Sequence, residues 1–109
     1  MLIPGSSKGE EAVHVCQIVK DGKVIYVGIT NSLKRRAAEH GVEVLDPIVT
    51  VFSRDQARAV EQALIQHHGL GKDGGTLMNK INSISPKRLG FWDAVELGFE
   101  TLRSVVYPL

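Results

Sequence analysis

Two consecutive helical stretches of this chain place ionisable side chains on a face that ought to be apolar. At about 100° per residue, Leu33, Arg36, Ala37 and His40 share one face of the stretch 31–40, while Lys34, Arg35 and Glu39 point elsewhere. The second stretch runs from Arg54 to His68, with Ala57, Val60, Leu64 and Ile65 as its apolar stripe and Glu61 in the middle of it. An unpaired buried charge costs several kcal/mol, so Arg36, His40 and Glu61 are expected to line a polar cleft. A guanidinium, an imidazole and a carboxylate together can grip an anion, carry a proton and hold a hard cation.

The elements that must position these groups are legible from turn and cap signals. Val13 to Val19 reads as a strand, Asp21-Gly22 as a hairpin turn and Lys23 to Ile29 as the returning strand. Gly28 interrupts that strand near its end, which signals a bulge or a close backbone approach. Asn31 is placed to cap the first helix and Gly41 to end it. Of the segments flanking Asp46-Pro47, Val42 to Leu45 and Ile48 to Phe52, the latter makes the better third strand. Ser53-Arg54-Asp55-Gln56 has capping-box spacing before the second helix, and Gly69 closes it. Residues 69–75 form a glycine-rich loop without the Gly-Lys-Ser/Thr ending of a nucleotide-binding P-loop, and read as a flexible connection. Trp92, Val95, Phe99 and Leu102 recur at helical spacing, which predicts a C-terminal helix over 91–102 with Trp92 and Phe99 in the core. An apolar tail, Val105 to Leu109, follows.

This order predicts an α+β domain: a small, mostly antiparallel three-stranded sheet flanked by helices. Residues 1–12, rich in Gly and Ser, read as a flexible lead-in, and 13–109 as one domain, a size that suits 109 residues in all. No run approaches the roughly 18 apolar residues of a membrane span, and the start has no hydrophobic stretch of secretory type. The single cysteine, Cys16, excludes an internal disulfide and a multi-thiolate zinc site. It reads as a small buried hydrophobe. His67 and His68 point about 100° apart on a helix and make a poor chelating pair. The net charge of +1 is too small for a general nucleic-acid coat. A local positive patch around Lys34, Arg35, Arg58 and Lys80 is compatible with it.

The run Tyr26-Val27-Gly28, followed by Thr30, Leu33, Arg36 and His40, resembles the second half of the GIY-YIG nuclease signature. Glu61 on the next helix and Asn79 after a loop match its later residues, and Val15-Cys16-Gln17-Ile18 occupies the place of its first motif. The resemblance spans residues 13–82. The ending from Gly74 to Pro86 is similar to the C-terminal GIY-YIG modules of bacterial polymorphic toxins. One departure stands out: the first motif of the family carries a tyrosine where this chain has Cys16, with His14 two residues before it.

What the resemblance implies is a metal-dependent endonuclease, with DNA the favoured substrate and RNA the alternative. It would be secreted or injected as part of a larger toxin, act in the target-cell cytoplasm and be neutralised by a cognate immunity protein. Glu61 would hold one Mg²⁺ or Mn²⁺ ion, and Arg36 would grip the phosphate. Tyr26, its pKa lowered by nearby cations, would act as base or position the water. His40 would relay a proton, and Asn79 would bind phosphate or pin its loop to the sheet. Lys34, Arg35, Arg58 and Lys80 would contact the nucleic-acid backbone, and Cys16 would stand at the first tyrosine's place. Plainer readings remain open beside these: a strand tyrosine packed on the sheet, a Glu61 salt bridge to Arg58 or Arg36, and an asparagine that caps a turn. A catalytically weakened scaffold that binds nucleic acid or a protein partner is the alternative function.

Overall fold

The computed structural model describes residues 12–39, 41 and 45–109. The lead-in 1–11, His40 and residues 42–44 lie outside the described residues, so the expectations placed on them are carried no further. Strand β1 (Val13–Lys20) turns at Asp21-Gly22 into β2 (Lys23–Thr30). Both turn residues have positive φ, 53° and 76°, as a tight hairpin turn of this hand requires. Helix α1 (Leu33–Glu39), strand β3 (Asp46–Val51), helix α2 (Arg54–His68), a 3-10 turn at Gly71–Asp73 and helix α3 (Phe91–Ser104) follow. The sheet is antiparallel throughout with β1 in the centre, in the order β2-β1-β3.

The third strand starts earlier than its apolar run suggests, at Asp46, and takes in Pro47. Proline lacks the amide a ladder needs, and this one sits on an edge strand opposite Cys16, next to a register shift. The cap of α1 also differs: Ser32 rather than Asn31 accepts the Arg35 amide through its hydroxyl at 3.3 Å, while the Asn31 side chain accepts from Arg35 Nη2. Gly41 ends α1 as expected, with φ 68° and its amide on the Ala38 carbonyl. Ser53 accepts the Gln56 amide, and Gly69 closes α2 with φ 80°.

The main core lies between one sheet face and α2, where Val13, Val15, Val27 and Val51 meet Ala57, Val60, Leu64 and Ile65. The opposite sheet face carries Cys16 and Ile18 under α1, packed with Leu33, Ala37 and Leu45. Helix α3 lies on the far side of α2. Contact there is close because Gly98 faces Ala59 and Ala63, a second stripe of small residues on α2 that the single apolar stripe read from the sequence does not include. Trp92 is 67 % exposed and lies outside the core. The helix turns Phe91, Val95, Gly98 and Leu102 inward instead, with Phe99 half-buried beside them.

The C-terminal tail folds back on the sheet. Tyr107 OH donates to Gln17 Oε1 at 2.6 Å and, its one proton spent, accepts from His68 Nε2 at 2.8 Å. Gln17 in turn donates to Asp46 at 2.7 Å. Burial pushes the Tyr107 hydroxyl up to about 12 and, with His67 beside it, lowers the His68 pKa. Tyr107→Phe strands an amide oxygen and a ring N–H together, so a stability loss of roughly 1–3 kcal/mol is expected in urea unfolding. An unchanged midpoint would show that the Tyr107 hydroxyl's hydrogen bonds contribute nothing to stability.

Candidate active site

Tyr26 shares a face of β2 with Gly28, and the reason for glycine there is the tyrosine itself. A Cβ at position 28 would stand 2.6 Å from the Tyr26 hydroxyl and 2.8 Å from its ring, so the ring lies directly over the bare backbone. Gly28 is thus a close approach and not a bulge. The one register shift in this hairpin falls between Ile18 and Val19.

The segment after the glycine-rich loop runs along the free edge of β2. Thr76 Oγ1 donates to the Val24 carbonyl, Met78 N to that of Ile25, and the Asn79 side chain closes a two-way pair with Val27. In that pair the Val27 amide donates to Oδ1 at 3.1 Å, and Nδ2 donates to the Val27 carbonyl at 2.8 Å. Asn79 therefore pins its loop to the sheet with both ends of its amide. The glycine-rich loop is a tight knot rather than a slack connection: Leu77 N bonds the Gly69 carbonyl, Gly75 N that of Leu70, and Gly71 N that of Leu77.

A second clamp holds the loop's other end. Gln62 is fully buried; its Oε1 accepts the Ile84 amide at 2.9 Å, and its Nε2 donates to Asn82 at 3.0 Å. This amide escaped sequence reading because a glutamine on α2 looks like a solvated residue. The nearest signal was its place among Ala59, Ala63 and Leu64. Between the two clamps the loop closes over a hollow of about 350 Å³. Tyr26, Arg58, Glu61, Asn79, Lys80 and Ser83 line it, with Ile65, Met78, Ile81 and Asn82.

Three residues expected at the site thus share one cavity, Tyr26, Glu61 and Asn79, together with two of the four cations expected on substrate, Arg58 and Lys80. The others are placed differently. Lys34 and Arg35 are exposed on α1 and do not line the hollow. Arg36 stands beside it: Nη2 donates to the Ile29 carbonyl at 3.2 Å, Nη1 is 3.9 Å from Glu39, and its charge is felt at Cys16, Tyr26 and Glu61. Its Nε–H is buried without an acceptor. Cys16 is fully buried beneath α1, its thiol directed at the Gly28 carbonyl at 3.5 Å. Burial pushes that thiol up to about 11, so it is neither a base nor a thiolate nucleophile near neutral pH.

The electrostatics correct one expectation. Burial raises the Tyr26 pKa above its ordinary value, and the Arg36 charge offsets this only in part. Tyr26 is therefore a neutral phenol at neutral pH, a hydrogen-bond donor and not a phenolate base. Gly28→Ala should displace the ring toward water. The expected result is a Tyr26 pKa that falls back toward the ordinary value in an ultraviolet titration, with Tyr107→Phe as the background that isolates it. No change in that titration would mean that the ring does not depend on the glycine.

Burial also raises the Glu61 pKa. The Ser83 hydroxyl, then Arg58 and Arg36, pull the other way. Ser83 Oγ is buried and makes no hydrogen bond of good geometry, so it lies near the carboxylate without being committed to it. A hard cation fits this donor set. It would take a Glu61 oxygen and keep several waters, as Mg²⁺ prefers, and the buried hydroxyl beside it would gain a partner. Among the described residues no three His, Cys, Asp or Glu side chains gather, so any ion here would rest on one carboxylate. None of the described helices is long and apolar enough to cross a membrane. Comparisons with protein families, with curated proteins and with solved structures find no match for this chain.

Proposed function

We propose that this domain is a metal-dependent nuclease of GIY-YIG type that hydrolyses phosphodiester bonds, with DNA the favoured substrate. The observation that carries the reading is the convergence of Tyr26, Glu61 and Asn79 on one hollow edged by Arg58 and Lys80. The motif order Tyr26-Val27-Gly28, Arg36, Glu61, Asn79 supports the same family. In this reading Glu61 holds a Mg²⁺ or Mn²⁺ ion, which when bound supplies positive charge to the phosphoryl oxygens. Arg58 and Lys80 bind the flanking backbone. Arg36, outside the hollow's lining, sets the local potential through its charge. Tyr26 donates to a phosphate oxygen and fixes its direction. Asn79 acts by positioning, since both ends of its amide are committed to Val27.

The toxin role is part of the proposal: a module of a larger exported protein, acting in the target-cell cytoplasm and held in check by an immunity protein. It rests on the resemblance of residues 74–86. A delivery region upstream in the same reading frame and a small gene directly downstream would support it. The nuclease reading is tested by incubating supercoiled plasmid, single-stranded DNA and RNA with purified protein across divalent metals. Nicked or cut plasmid is expected. Intact DNA and intact RNA under every metal would end the assignment.

A second reading has one observation in its favour. With Cys16 sealed under α1, the hollow holds a single tyrosine, so the domain could be a scaffold that binds nucleic acid or a protein partner without cutting it. Tight binding of oligonucleotides with no cleavage by any metal would favour it. Cys16→Tyr is a poor discriminator here, because a phenol ring forced among Leu33, Ala37 and Leu45 would overpack the space below α1.

A further inference from the structure

A larger groove, about 520 Å³, lies between the start of α2 and the start of α3. Arg58 lines it as well as the candidate site. The loop residues between the two are consecutive, Ser83 facing the site and Ile84 the groove. The groove continues past Arg88 and Leu89 to an adjoining depression that includes Lys87 and Trp92. Trp92 is 67 % exposed and meets Phe91 edge-on, ring centroids 4.9 Å apart and planes at 83°. That contact orients the indole while leaving most of it open. Asp55 and Asp93 stand in the same walls, so the positive charge is local, at Arg58, Lys87 and Arg88.

We propose that this groove is a track for single-stranded nucleic acid leading out of the candidate site, with Arg58 and Arg88 on the backbone and Trp92 as a base-stacking platform. The inference rests on the nuclease reading of the adjoining hollow. Three observations carry it: the shared Arg58, the cations at the groove's outer end, and an indole held open on a rigid helix. Stacking on an aromatic side chain needs a free base face, which a single strand offers and an intact duplex hides. A strand leaving the hollow past Arg58 would thus reach charge first and an aromatic plane second, the order in which a flexible single strand is held.

Trp92 is the only tryptophan of the chain, so its fluorescence reports the contact directly. The experiment uses the full chain carrying Glu61→Gln, with no divalent ion, titrated with single-stranded DNA, single-stranded RNA and duplex DNA of equal length. Saturable quenching by a single strand, with weaker binding of duplex, is expected. Trp92→Ala should weaken single-strand binding by about tenfold in fluorescence anisotropy. Arg88→Ala should reduce the slope of log K against log salt for the single strand by about 0.7. Both residues are exposed, and circular dichroism checks that each variant keeps the fold. Equal affinity in the Trp92→Ala protein, or duplex binding as tight as single-strand binding, would overturn the proposal. So would the absence of quenching by any oligonucleotide. Plasmid cleavage without quenching defeats the track alone. Quenching without cleavage under any metal defeats the nuclease reading and leaves the track standing.

Discussion

Under the proposed nuclease reading, Glu61→Gln should slow cleavage by on the order of 10²–10³ and at the same time give a more stable protein at neutral pH. The amide keeps the shape of the side chain but has no charge with which to hold a cation, and loss of one such electrostatic group in an enclosed site costs on the order of 10²–10³ in rate. The gain in stability follows from the carboxyl's setting. Burial is the largest influence on its pKa and raises it; Ser83, Arg58 and Arg36 offset only part of this. A folded carboxyl with a raised pKa binds its proton more tightly than the unfolded chain does. Between the ordinary glutamate value and the raised one, the native state therefore holds more protons, and stability falls as pH climbs through that window. The penalty that has built up by neutral pH is absent from the neutral amide. Urea unfolding of both proteins at acidic and neutral pH checks the sign: the two curves should lie close in acid and separate at neutral pH, the variant being the more stable. A variant that still cuts at the parent rate, or that is less stable at neutral pH, contradicts the placement of Glu61.

Gly98→Ala should be the most damaging single-methyl change in the helical layer. In an exposed helix, alanine for glycine gains roughly 1 kcal/mol in propensity. Here the added Cβ would lie 2.1 Å from the Ala59 carbonyl oxygen, 2.7 Å from its carbon and 2.8 Å from the Ala63 Cβ. Two of those three atoms are backbone, so no rotamer change relieves the clash, and α3 must move off α2. Overpacking of this kind typically costs 1–3 kcal/mol, and with backbone as the obstacle the top of that range is the better guide. A net loss of roughly 2–3 kcal/mol, or a melting point lower by on the order of 10–15 °C for a domain of this size, is the expected outcome. The wall of the groove carried by α3 would move with the helix, so oligonucleotide binding should weaken in step. A variant as stable as the parent would mean that the two helices approach less closely than their Cα traces imply.

Local rules sufficed wherever one residue answers to its immediate neighbours. Asp21 and Gly22 take the positive φ angles of a tight hairpin, Ser53 caps α2 through its hydroxyl, and the bounds read for α2, Arg54 to His68, are those observed. A side chain's partner three or four positions away is set by chain geometry alone, so such features can be read without knowing the fold. Glu61 belongs with them in part. Its clash with the apolar stripe of α2 was visible in the pattern, and it does line a polar hollow. The joint placement of Tyr26 and Asn79 was suggested by motif order and not by any local rule, because 52 residues separate Asn79 from its partner Val27.

Burial in this chain is decided by what arrives from elsewhere. Helical period alone put Trp92 with Val95, Phe99 and Leu102, yet the inward set is Phe91, Val95, Gly98 and Leu102, because Ala59 and Ala63 draw α3 in at its glycine. Gln62, polar by composition, is buried because Asn82 and Ile84 close on its amide. Arg36 keeps the face its spacing gave it but spends Nη2 on the Ile29 carbonyl, and so acts on the hollow through its field. The Tyr26 pKa moves opposite to expectation since desolvation outweighs one neighbouring cation. Periodicity, caps and turns are short-range steric facts carried by the chain itself. Which polar group is dry, which aromatic is wet and which way a pKa shifts are properties of surfaces that exist only after distant segments have packed.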